Sequence, residues 1–227
     1  MRRDVDINDI SDGTLYELND MVKADCGDCK GCSDCCCGMG ESIVLDPYDV
    51  YKLSNGLHMT FEELLANHII LNVYDGMILP CLKMDEVTDA CTFLNSEGRC
   101  SIHAIRPGFC RLFPLGRNYE DGKLSYFVLE DACPAPVKSK IKINKWLGVP
   151  SLKAYEGFLV EWHALTKGLR AFYETNANND AVIKAVNMQF LQIFYLTPYT
   201  EDDFYNQFSE RKGKMYAFLQ SLGIIIE

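Results

Sequence analysis

The run CGDCKGCSDCCC at residues 26–37 puts six cysteines in twelve positions, and five more follow at Cys81, Cys91, Cys100, Cys110 and Cys133. A C-x2-C pair lets two thiolates of one tight turn meet a single metal, and glycines such as Gly27 and Gly31 let the backbone fold that closely. The spacing repeats through Cys26, Cys29, Cys32 and Cys35. It is as compact as the ferredoxin pattern that holds iron-sulfur cubanes, but Cys36 and Cys37 follow at once and no proline closes it. Neighbouring side chains of an extended segment point to opposite sides. Cys35 and Cys36 are therefore expected to serve two centres within about 15 Å of each other, unless one of them is idle. Four thiols from this run, with Cys91, Cys100, Cys110 and Cys133, would complete two four-thiolate sites.

A disulfide scaffold is the less natural use of these cysteines. With 227 residues, 48% of them apolar, the chain can bury a core without staples. The N-terminus MRRDVDINDISDG has no apolar run behind its arginines, and no stretch approaches a membrane span of about 18 apolar residues. The expectation is a cytoplasmic protein with reduced thiols and no membrane contact. The net charge of −10, with no basic run interleaved with aromatics, argues against nucleic acid as a partner. An unknown protein partner, if there is one, would be basic. Acidity that only keeps the chain soluble is the preferred explanation of the charge.

No cysteine follows residue 133, which suggests a cysteine-cluster metal-binding domain over 1–136 and a helical portion over 137–227 packed on it. Ser11 or Asp12 can cap a short helix carrying Leu15, Leu18, Met21 and Val22. Asp46-Pro47 opens another that Asn55-Gly56 would stop, and Thr60 with Glu63 forms a capping box for a third. Asp75-Gly76 and Asp121-Gly122, each between apolar runs, predict two β-hairpins. From Ser151 the apolar spacing predicts three packed helices: one carrying Tyr155 to Tyr173, one over ANNDAVIKAVNMQFLQIFYL, and one from Thr200 to Gly223. The fold class is α+β, mostly α, with small hairpins in the cysteine-rich part.

The segment CKGCSDCC at 29–36, with CTFLNSEGRCSIHAIRPGFCRLFP at 91–114 and Cys133-Pro134, resembles the CxxCxxCC cysteine-cluster family. That family includes YkgJ-like members and is described as zinc- or iron-chelating. The resemblance covers about residues 26–136; extra cysteines at 26, 37 and 81, and His103 where the family has tyrosine, are departures. It implies a metal-binding domain with Cys29, Cys32, Cys35, Cys36, Cys91, Cys100, Cys110 and Cys133 as ligands. Cys26 and Cys37 stay open, and Cys81 in ILPCL reads as a small buried hydrophobe. Arg106 and Arg111 flank Cys110 and could offset the charge of a metal-thiolate cofactor, or pair with acids such as Glu97 or Glu120. His103 could donate a nitrogen, although packing or a hydrogen bond to sulfur is the simpler use.

Dense, almost purely thiolate ligation beside apolar residues favours one or two iron-sulfur clusters of the 4Fe-4S type, with zinc as the alternative. The expected function is electron transfer or a redox- or metal-responsive role. A partial resemblance to flagellin lysine methylases implies a second reading, an S-adenosylmethionine-dependent protein-lysine methylase. Against it, no C-x3-C-x2-C spacing occurs, since Met39 stands where the third cysteine after Cys32 and Cys36 would fall. No phosphate loop, nucleophile elbow or HExxH motif is present either, so enzymatic activity is left open. A zinc-stabilised interaction module is the third reading.

Overall fold

The computed structural model describes residues 6–27, 32–135, 138–200 and 203–226. Its front portion is built from short elements in the order α1 (Ile7–Ile10), β1 (Met21–Asp25), α2 (Pro47–Leu57), α3 (Phe61–Asn67), β2 (Ile69–Tyr74) and β3 (Met77–Leu82). Then come α4 (Gly108–Leu112), β4 (Leu115–Glu120), β5 (Lys123–Val128), β6 (Ser139–Lys142) and α5 (Ile143–Leu147). Three longer helices follow: α6 (Leu152–Thr175), α7 (Asp180–Leu191) and α8 (Phe204–Ser221). The chain is α+β, and its strands form three separate two-stranded antiparallel sheets, β1-β6, β2-β3 and β4-β5. Among the described residues no helix is long and apolar enough to cross a membrane.

Local signals place several elements as expected. Asp46 and Asp49 close a capping box on α2 with Pro47 in its first turn, and Thr60 and Glu63 do the same for α3. Both Asp-Gly turns join hairpins, with Asp75 and Asp121 at positive φ. At Gly76 (φ +81°) a Cβ would stand 2.8 Å from the Cβ of Tyr173, so the hairpin tip reaches α6 only because this residue is glycine.

Three expectations fail for tertiary reasons. The helix over 11–22 does not form: α1 is capped by Asp6, and Ser11 closes it by donating to the Ile7 carbonyl. Met21–Asp25 is instead a strand whose ladder with Ser139–Lys142 buries Val22 and Ala24 on one face. Asn55-Gly56 does not stop α2, which runs to Leu57 and ends on His58 in the left-handed region. Gly56 is spent on packing, since a Cβ there would meet Ile105 Cδ1 at 2.4 Å. Thr200 does not cap α8, which begins after Asp203; Gln207 binds the Thr200 backbone and hydroxyl from within the helix.

The division expected at 136/137 falls at residues outside the described set, and β1 pairs with β6 across it. Front and back also share one apolar core, from Val22 and Leu45 to Phe194 and Phe208. Buried Asn187 on α7 accepts from the Ile78 N–H at 2.8 Å and donates to the Gly76 carbonyl at 2.9 Å. Tyr195 donates to the Leu45 carbonyl at 3.0 Å from a π-helical turn, Gln192–Leu196, that continues α7. These bonds satisfy backbone groups that neither portion could satisfy alone.

Candidate metal centre

The adjacent cysteines do not lie in an extended segment. Asp34–Cys36 is a 3-10 turn in which Cys36 N–H donates to the Ser33 carbonyl at 2.7 Å, and both thiols face the same cavity. This removes the steric reason for assigning Cys35 and Cys36 to different centres. The two cysteine blocks are sewn together by backbone bonds: Cys91 N–H to the Cys36 carbonyl at 2.7 Å, and Gly38 N–H to the Asp89 carbonyl at 2.8 Å. Asn95 closes the next turn by accepting from the Glu97 and Arg99 N–H groups, which sets Cys100 against Leu94 and near Cys91. Cys110 rides on α4, whose first N–H, at Gly108, is held at 2.6 Å by Asp49 Oδ1 of α2.

The result is a cavity of about 50 Å³ walled by Cys32, Cys35, Cys36, Cys91, Cys100 and Cys110. Ile43, Leu82, Ile102 and Pro107 supply apolar wall, and Arg106 brings a cation. The thiols ring a space; among the described residues no three His, Cys, Asp or Glu side chains close on a single metal-sized point. Cys29 lies outside the described residues, and neither Cys26 nor Cys133 is on this wall. Cys81 is fully buried, with its thiol directed at the Ile70 carbonyl, and takes no part.

Burial pushes the Cys91, Cys100 and Cys110 thiols up, Cys110 furthest. Mutual repulsion adds to it, because Cys110 would feel ionised Cys91, Cys35 and Cys100, while Cys91 and Cys100 each feel Cys35. Cys35 is raised first by its hydrogen bond with Cys36, then by burial, against the opposing pull of Arg106. Thiols crowded this way stay protonated until a cation enters; a metal reverses the balance and releases the protons. The donor set therefore fits a soft metal or a metal-sulfur cluster.

The flanking arginines divide. Arg106 Nη1 meets His103 Nε2 at 2.7 Å, and its Nε is buried with no hydrogen-bond partner among the described residues. Arg111 is off the cavity and pairs with neither Glu97 nor Glu120. It donates to the carbonyls of Ala104 (3.0 Å), Leu147 (3.3 Å) and Arg106 (3.4 Å), which fastens the loop presenting Arg106.

Residues 28–134 match the model of a family described as CxxCxxCC, "Putative zinc- or iron-chelating domain". Over this segment the chain is similar to the CxxCxxCC family. The family is of the metal-binding kind, and the four described cysteine positions of both blocks that crowd one another lie inside it. An uncharacterized protein of Methanocaldococcus jannaschii is 29% identical over 99 residues, which cover 43% of this chain and 49% of that protein. The chain thus spans about half the length of this curated relative. No solved structure matches significantly. Two residues of this segment escaped the sequence reading. Arg99 lines the cavity beside Cys100, where adjacency was the available signal. Asp49, which positions α4, carried none, because its partner Gly108 is 59 residues away.

Proposed function

We propose that the chain carries an iron-sulfur cluster held by Cys35, Cys91, Cys100 and Cys110, and serves in electron transfer or a redox- or metal-responsive role. The observation that carries this reading is the convergence of thiols from both blocks on one cavity whose remaining wall is apolar except for Arg99, His103 and Arg106. Ile43, Leu82, Ile102 and Pro107 would exclude water, and Arg106 would offset part of the thiolate charge. A cluster bound here supplies one-electron chemistry tuned by such burial and hydrogen bonding. Cys32 and Cys36 stand on the same wall as further thiols. The charge of −10 favours a basic redox partner.

Anaerobic purification, iron and sulfide analysis, visible absorption and electron paramagnetic resonance test the reading. Iron with sulfide and a reducible chromophore are expected. A colourless protein with stoichiometric zinc would overturn it in favour of a zinc-stabilised module. Cys110→Ser should release most of the metal while Cys81→Ser keeps it; full retention in Cys110→Ser and Cys100→Ser alike would remove this ligand set.

A further inference from the structure

Behind the segment that presents Arg106 to the thiols lies a second cavity, also of about 50 Å³. Tyr48, Asp49 and Lys52 of α2 form one wall, Arg106 and Arg111 a second, and Tyr155 of α6 a third. Three cations thus face a single carboxylate, and that carboxylate is occupied: Asp49 Oδ1 accepts from the Gly108 N–H at 2.6 Å and Oδ2 from the Asp46 N–H at 3.2 Å. The cations are in the opposite condition. Among the described residues Lys52 makes no hydrogen bond or ion pair, and Arg106 has only His103 on Nη1, leaving its Nε buried without an acceptor. Arg111 has spent its nitrogens on backbone carbonyls, which hold its guanidinium in place without neutralising it.

A partly open pocket with excess positive charge and unused donors is complementary to an acceptor-rich anion. We infer that this cavity is an anion site that takes a small carboxylate or inorganic oxyanion, with Lys52 and Arg106 as its charged donors and Arg111 as a fixed cation. A group the size of formate or phosphate matches the compact walls, and the fork of a guanidinium suits either oxygen geometry. Tyr48 and Tyr155 limit the size of the site, and its three cations disfavour a cationic ligand. Arg106 borders both cavities, so its charge is shared between the anion and whatever the thiols hold, while Lys52 faces this cavity alone.

The test uses the full chain with whatever metal it carries on purification. Sodium formate and potassium phosphate are titrated separately at constant ionic strength, by calorimetry and by the fluorescence of Trp146, which lies two residues before Gly148 on the cavity rim. Saturable binding of at least one anion is expected, with a dissociation constant on the order of 1 mM. Formate alone would mark a carboxylate site and phosphate alone an oxyanion site. Lys52→Gln, on the half-buried side of α2, should weaken binding at least about tenfold with metal content and circular dichroism unchanged, and Lys52→Arg should restore it. No saturation with either anion at about 0.1 M, two decades above a millimolar constant, would overturn the inference, as would equal affinity in Lys52→Gln. Metal is assayed in the same samples. Anion binding without iron would defeat only the iron-sulfur reading, and iron-loaded protein blind to both anions only this one.

Discussion

The segments around the thiols and the three long helices behind them are organised by different physics. Around the cavity the elements are short: a 3-10 turn at 34–36, a turn closed by Asn95, and α4 of five residues. Their mutual placement rests on a few backbone bonds and on thiols that repel one another when ionised. In the back portion Phe158 meets Phe208 edge-on at 4.7 Å, Trp162 meets Phe194 at 5.3 Å, and Phe190, Phe194 and Phe208 are fully buried. The long helices supply the aromatic part of the shared core, whereas the short segments enclose a cavity walled by cysteines. A single chain can thus assign ligand chemistry to its least self-sufficient segments, provided a rigid neighbour holds their ends.

The sharpest way to break this contrast is to remove the metal. Structural metal sites contribute on the order of 10 kcal/mol, so chelation should strip hydrogen-exchange protection from residues 32–36 and 91–112 while α6 and α8 keep theirs. Uniform loss, or none, would mean the two regions do not differ as described. Phe194→Ala attacks the other side, and a fully buried aromatic truncation should cost about 3–5 kcal/mol. Thermal unfolding should show it, with the metal bound per folded molecule unchanged.

Smaller effects sharpen the picture. Thr60→Ala removes the exposed capping box at the start of α3 and should cost about 1 kcal/mol in denaturant unfolding, with metal retained. The smallest is a pH effect in the back portion. His163 stacks on Tyr119 at 4.0 Å, and burial, then Arg170 and Lys167, lower its pKa. The unfolded state, near 6.5, then binds the proton more readily than the folded state. The contribution is fully present above that value and is lost as pH falls from about 6.5 towards the depressed folded pKa. His163→Gln should show a flatter stability profile across this window; identical slopes in variant and parent would exclude the assignment.

What the sequence could settle was set by interactions a few residues long. The capping boxes at Asp46 and Thr60, the Asp-Gly hairpins, the apolar spacing of α6 and α7 and the C-x2-C run each draw their partners from neighbouring positions. The family resemblance on both cysteine blocks rests on the same kind of local pattern. It stopped where partners are distant. Nothing near residues 21–25 announces a strand, because the ladder that makes it one lies at 139–142. The Cys35-Cys36 step looked divergent until the 3-10 turn curled both thiols inward. Arg106 and Arg111 looked equivalent, five residues apart beside Cys110; only the packing of α2, α5 and α6 around them left one between two cavities and tied the other to backbone carbonyls. Residue types and short spacings specify which groups are available. Bringing them together means closing long loops, and that entropy is recovered only by the assembled core, so the arrangement of the site belongs to the tertiary structure.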